Sequence, residues 1–315
     1  MLVLRLLVVL LPCVVVLRAA EREFVKTFPA GELVSIDVQT YRGAILVTES
    51  ERPDVRVAVR VEIGGRDEAD AEELMQGFVF AADQSGDTVT VRVRHPQQSG
   101  ARFVWNEDRQ VVPTLRIAAP ARCNLTLKTG QGAINVGNLT GRHRVENDSG
   151  DVFLRTVGGD VAVKTNTGDV VVSRCIGSLR VELNQGQIQV GTVTGPCQLT
   201  NHSGEIEVQS PKGELTVRAK AGAVTVGIPR DFTGPGDVRT SGGVIVAQVD
   251  PAASVRIHAT TSVLANVQSR VPFTVEAGAL DSRRMTGMLN GGRAGLRLHA
   301  SGGDVRIVPR EPGFE

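Results

Sequence analysis

A chain of 315 residues, 41% of them hydrophobic, is long enough to bury a sizeable core, and its composition excludes disorder as the organising state. Its 35 basic and 34 acidic residues balance to +1 and aromatics make up only 3%, so neither a phosphate-tracking surface nor a base-stacking platform is expected, and nucleic acid is not an expected partner. Thirty-five glycines beside one Trp, one Tyr and nine Phe predict many tight turns around an aliphatic core.

The chain opens with Arg5, an apolar run over Leu6–Leu17 and Arg18-Ala19-Ala20 ahead of Glu21-Arg22-Glu23, which predicts a signal peptide over residues 1–20. The run is short for a membrane span. If uncleaved, this segment is the only membrane contact expected. Cys13 follows Pro12, where a lipobox would need a small residue, so lipidation is not expected.

Residues 21–113 read as a β-rich region that packs on or caps the remainder of the chain. Leu33–Val38, Ala44–Val47, Val55–Val61 and Thr88–Val93 alternate apolar and polar side chains with period two, the pattern of half-buried strands. Asp67–Gly77 breaks the pattern: Ala69, Leu74 and Met75 among five carboxylates predict a short helix with acidic residues near its N-terminus and a solvated face.

Residues 114–310 read as a repeat domain. Glycine recurs at 132, 150, 168, 186, 204 and 222 in steps of 18, and again at 141, 159, 177, 195 and 213 with the same step. Such self-similarity is the signature of a solenoid. With the first series as position zero, positions two and four are always apolar (Val152 and Leu154, Val170 and Val172), and positions eleven and thirteen usually are (His143 and Val145, Leu179 and Val181). The expected fold is therefore all-β, a parallel β-solenoid with 18-residue coils, each coil supplying two short strands that stack roughly 4.8 Å from the next. Position fourteen (Glu146, Lys164, Glu182, Thr200, Arg218) avoids like charges on adjacent rungs. Asn147, Asn166, Asn184 and Asn201 suit left-handed backbone or local side-chain hydrogen bonds at the bend. A 20-residue coil is expected from Gly222 to Gly242, the phase is lost over 258–288, and Gly303, Val305 and Ile307 restore it as a last rung.

Little chemistry is legible. Asp151 and Asp169 are the only adjacent acids at position one, a spacing that could serve a cation or acid–base glycan cleavage, with turn-adjacent solvated aspartates as the default. The Gly-Gly-x-Gly-x-Asp spacing of calcium-binding β-rolls is missing. The five histidines have no ligand spacing, and His143 falls at an inward position. No catalytic, metal or cofactor site is therefore expected. Cys175 and Cys197 lie at positions seven and eleven of successive coils, an offset of roughly 13 Å on an extended strand, which predicts buried thiols rather than a disulfide. Phe153 and Val171 occupy outward position three on neighbouring rungs, a candidate contact patch.

The Ser/Thr-Gly-Asp-Val rungs (Ser149–Val152 and Thr167–Val170), with Gly303-Asp304-Val305, Leu289-Asn290-Gly291-Gly292 and the β-rich lead-in, resemble the bacterial adhesin-like family of β-strand-repeat proteins, the domain of unknown function DUF4097. The similarity covers most of residues 30–308. It implies an exported bacterial β-solenoid and brings no catalytic residues. The expected function is an adhesin-like, non-catalytic binding or structural role at the periplasm, cell surface or beyond, facing a cell-surface glycan or an envelope protein. The alternative is a carbohydrate-active enzyme, lyase or hydrolase, on a β-helix scaffold.

Overall fold

The structure, a computed structural model, describes residues 20–64, 68–95, 110–262 and 264–311, with side chains described from residue 21 and outside 276–280. The signal-peptide reading of residues 1–20 lies outside the described residues but for the backbone of Ala20. Among the described residues no helix is long and apolar enough to cross a membrane.

The chain is built almost wholly of strands. β1 (Ala20–Pro29), β2 (Val34–Thr40), β3 (Ile45–Ser50) and β4 (Asp54–Ile63) precede α1 (Glu68–Met75), which is followed by β5 (Val79–Ser85), β6 (Thr88–Arg94) and β7 (Val111–Pro120). The regular coils contain β8 (Cys123–Gln131), β9 (Ile134–Thr140), β10 (His143–Ser149), β11 (Val152–Thr167), β12 (Val170–Gln185), β13 (Ile188–Val193), β14 (Cys197–Ser203), β15 (Ile206–Pro211), β16 (Leu215–Ala221) and β17 (Val224–Ile228). The C-terminal part holds β18 (Gly236–Gly242), β19 (Ile245–Val249), β20 (Val255–Thr261), β21 (Val267–Ser269), β22 (Thr274–Asp281), β23 (Arg284–Leu289), β24 (Ala294–Ala300) and β25 (Val305–Pro309).

Two parallel ladders run along the solenoid. In the first, β8, β10, the second half of β11, the second half of β12, β14, β16 and β18 pair in that order, so that Leu125, His143, Val161, Leu179, Cys197 and Leu215 form one inward column. In the second, β9, the first halves of β11 and β12, β13, β15, β17 and β19 stack Ile134, Val152, Val170, Ile188, Ile206, Val224 and Ile245. Every member of these two columns is buried, which is the two-sided apolar patterning the glycine phase implied. The glycines turn the chain between ladders. At Gly168, φ is +121°, and a Cβ there would overlap the carbonyl group of Gly150 one rung below, so both backbone conformation and rung spacing demand a residue without a side chain.

Two details depart from the sequence reading. The coil after Gly222 is 21 residues long, not 20, because it is Gly243 that stacks on Gly222, with Leu215 opposite Gly236 and Val224 opposite Ile245. The extra residues lie between Ile228 and Gly236, where Phe232 tucks into the core. The four asparagines divide into two kinds. Asn147 and Asn201 are buried and donate to the carbonyls of Gly132 (3.0 Å) and Gly186 (2.8 Å), while Asn166 and Asn184 bond each other outside at 2.8 Å; none adopts positive φ, so side-chain bonding rather than left-handed backbone selects them. Glu146 answers Arg144 on its own strand (2.7 Å) and Lys128 on the rung below (3.4 Å).

Both ends are interleaved. β2 and β3 form the first rung in sequence, yet they lie between β6/β7 on one side and β8/β9 on the other. The boundary expected between residues 113 and 114 therefore falls inside β7, and residues 34–50 already belong to the solenoid. The far end repeats the device. β24 pairs with both β18 and β20, and β25 with both β19 and β21, so the C-terminal rung is inserted one place before the end instead of being the last. Antiparallel strands then finish three of the four ladder ends, β5 on β6, β1 on β4 on β7, and β22 on β23 on β20, while the three-residue β21 ends the second ladder paired to β25 alone among the described residues. At the N-terminal end, Phe24 packs against Phe78 and Phe80, with Lys26 donating to the carbonyl of Ala82 at 2.7 Å, which ties the edge strands β1 and β5 together. Such treatment covers three parallel edges that would recruit another chain, and the fourth, β21, is only three residues long.

Candidate functional site

Register brings Phe153 and Val171 side by side on the outer surface of the second ladder, in a column that continues through Asn135 to Leu46. Leu46 and Val171 are half-buried, whereas Phe153 is 40% exposed. The parallel column two residues on reads Thr48, Gly137, Arg155 and Ser173, and the missing side chain at Gly137 opens a trough of about 450 Å³ between the columns. Asn135 separates Leu46 from the Phe153–Val171 pair, and the column turns polar again at Arg116 on the far side of Leu46 and at Gln189 beyond Val171. An exposed ring flanked by hydroxyl, amide and guanidinium groups can cover an apolar face while the rim bonds hydroxyls or carbonyls.

The two aspartates are otherwise engaged. Asp151 Oδ1 accepts the backbone N–H of Asp169 at 2.9 Å, and Asp169 Oδ1 accepts that of Gln187 at 2.8 Å, each bond stepping one rung along the solenoid. Asp304 repeats the motif toward Asn266 at 3.0 Å; this bond and Arg306 hold its carboxyl below the usual range. These acids close the corner by satisfying a backbone donor that the bend leaves over.

His143 stands in the core column between Leu125 and Val161, 1% exposed. Neither ring nitrogen has a hydrogen-bond partner. Burial lowers its pKa, opposed by the Leu139 carbonyl, which polarises the ring without reaching hydrogen-bond geometry. Cys123, Cys175 and Cys197 are free and buried, and burial pushes their thiols up to about 12, 11 and 12. The Cys175 thiol adds to the upward shift of Cys197, after burial. Among the described residues no three His, Cys, Asp or Glu side chains gather as metal ligands.

A second trough, of about 580 Å³, lies on the outer surface of the first ladder near the C-terminal end, where the register sets Thr216, Asp237, Arg297, His258 and Thr286 in one column. Its cationic residues come from β20 and β24, which are neighbours only because the last rung is inserted out of sequence order. No period in the sequence marks them.

The family described as Toastrack DUF4097 matches residues 34–271. No curated protein matches the chain. Among solved structures, a candidate lipid binding protein from Parabacteroides distasonis is 13% identical, covering 90% of this chain and 96% of its own, with a TM-score of 0.45. A candidate adhesin from Bacteroides fragilis is 11% identical over 92% of this chain and 98% of its own, with a TM-score of 0.34. A candidate cell adhesion protein from Clostridium sporogenes is 10% identical over 92% of this chain and all (100%) of its own, with a TM-score of 0.24.

Proposed function

Because the chain belongs to the Toastrack DUF4097 family, we propose that it is an exported, non-catalytic protein of the cell envelope that binds a cell-surface glycan or another envelope protein through the Phe153 trough. The observation that carries this reading is the exposed Phe153 ring, kept on an outer face whose neighbouring columns are mostly polar. Phe153, 40% exposed, and half-buried Val171 are register neighbours on adjacent rungs and together offer an apolar surface that a partner would cover. Export rests on the apolar run Leu6–Leu17. Against the glycan-cleaving alternative stands the use of Asp151 and Asp169 as backbone acceptors, which commits one oxygen of each to the corner.

The test is a glycan and cell-wall binding screen of residues 21–315, with product release measured on every hit, repeated with Phe153→Ser. Retention without released oligosaccharide, weakened by the substitution, is the expected result. Release of oligosaccharide would overturn the non-catalytic reading, and retention indifferent to Phe153→Ser would overturn the site.

A further inference from the structure

We propose that β1 is a dimerisation edge, on which a second copy of this chain pairs antiparallel across a two-fold axis, Val25 opposite the partner's Val25. β1 is ten residues long and pairs with β4 on one side only. Among the described residues no strand takes its other side, towards which about half of its backbone N–H and C=O groups point. The strand also stands clear of the rest of the cap. Beyond the rung of β6 and β7 the first ladder adds β5 alone, whereas the second adds β4 and then β1, so the second ladder runs one strand further. Glu21, Arg22, Glu23, Val25, Lys26 and Thr27 are all exposed, Val25 by 46%.

Lysine on an edge strand ordinarily keeps another strand away. Here Lys26 reaches under the edge to β5, donating to the Ala82 carbonyl at 2.7 Å with Asp83 Oδ1 at 4.0 Å. The other charges are answered within the cap as well: Arg22 has Glu72 at 3.7 Å, and Glu21 has Arg60 at 2.7 Å. The centre of the free edge is therefore the uncharged pair Phe24-Val25, and Pro29, which has no N–H to offer, sits at the end of the strand.

The sequence of β1 fits itself in one register. Opposite residues of an antiparallel pair share a face, so a two-fold axis perpendicular to the sheet must fall on a residue. With Val25 on that axis, Phe24 meets the partner's Lys26, Arg22 meets the partner's Phe28 and Glu23 meets the partner's Thr27. Residues 21–29 then pair throughout with no like charges opposed, and each cation of the strand stands opposite a ring. Moving the axis to Phe24 sets Arg22 against Lys26, and moving it to Lys26, Glu23 or Arg22 sets a charge against its own copy. This pairing continues the second ladder of one copy into that of the other. It leaves the two Phe153 columns on the same outer face of one continuous sheet, five strand spacings on either side of the junction, roughly 50 Å apart at about 4.8 Å per strand. A long polymer held at one trough would then meet the second at raised effective concentration. The dimer itself does not depend on what the troughs bind.

The experiment follows the mass of residues 21–315 by sedimentation velocity across the micromolar range. The chain should pass from monomer to dimer and stop there, because the two-fold axis closes the contact. Val25→Lys and Val25→Glu each set like charges on the axis and should weaken the dimer about tenfold or more, while an equimolar mixture of the two should restore it as a heterodimer. Since the Val25 side chain is exposed, both variants should keep the thermal unfolding of the parent monomer. Ile176→Lys, which charges an apolar side chain 53% exposed on a middle rung, should dimerise as the parent does. A chain that stays monomeric throughout, leaving the edge to a foreign strand, would overturn the proposal, as would a dimer indifferent to Val25→Lys or a mixture of the two variants that fails to pair.

Discussion

Replacing His143 by leucine should stabilise the protein, and should do so more at acid pH. A neutral imidazole carries one donor and one acceptor, and in this core column neither is bonded. Each unmet buried group costs about 1–3 kcal/mol, and the Leu139 carbonyl recovers only part of that. Leucine would continue the column from Leu125 to Val161 with some local strain. The net expectation near neutral pH is a gain of about 1–3 kcal/mol. Acid enlarges it. Burial depresses the folded-state pKa of His143 below the ordinary 6.5, so as pH falls through 6.5 the unfolded chain takes up a proton that the folded chain refuses. Stability is therefore lost below that pH in the native protein, and this contribution is absent in His143→Leu. Urea unfolding of both proteins at about pH 8 and about pH 5, with midpoints and slopes compared, measures the effect. A leucine variant less stable at the higher pH, or a difference between the proteins that does not widen in acid, would refute the argument.

Gly168→Ala should destabilise strongly, by about 3 kcal/mol or more, because it combines a forbidden φ with overlap on the Gly150 carbonyl; thermal unfolding or loss of soluble protein reads it. Asp169→Ala should lower stability by only about 1 kcal/mol, the cost of one corner hydrogen bond, without touching glycan retention, which denaturant melts and the binding screen check together. Cys123, Cys175 and Cys197 should resist a disulfide reagent while folded and all react in denaturant, since burial and raised pKa values hide them; rapid native labelling of these three would contradict the core placement. Deleting residues 291–315 should cost more than one rung, because it leaves β20 without its parallel neighbour and β18 with an open edge; new tryptic cuts at Arg256 and Arg283 would report it.

The regular coils were legible because one physical requirement repeats: a corner without a Cβ every rung, and apolar side chains two and four residues later. Where that requirement is met by a different spacing, period alone misleads. The 21-residue coil keeps the stacking of Gly243 on Gly222 by looping its extra residues between Ile228 and Gly236, with Phe232 turned back into the core, and a reading that takes the next glycine as the corner stops one residue early at Gly242. Phe153 and Val171 could be paired from sequence since position fixes both rung and face. Arg256, His258 and Arg297 could not, since their proximity depends on which rung lies beside which, and hydrophobic phase carries no information about the order of rungs in space. The asparagines show the same limit on a smaller scale: one position apart along the strand separates a buried carbonyl ligand from a surface ladder.

The out-of-order rungs also set a schedule. A chain made from its N-terminus forward can zip the middle coils one after another by local steps, but β20 and β21 must wait, held off by a vacant slot, until the final residues arrive to fill it. The slowest contacts are thus reserved for the last segment, where loop closure is longest and least rewarded in advance. Until then the molecule has an unfinished end exposed to proteases and to other chains. Once β24 and β25 slide in, the terminus is held on both sides, and unravelling from that end would first require pulling out an interior layer.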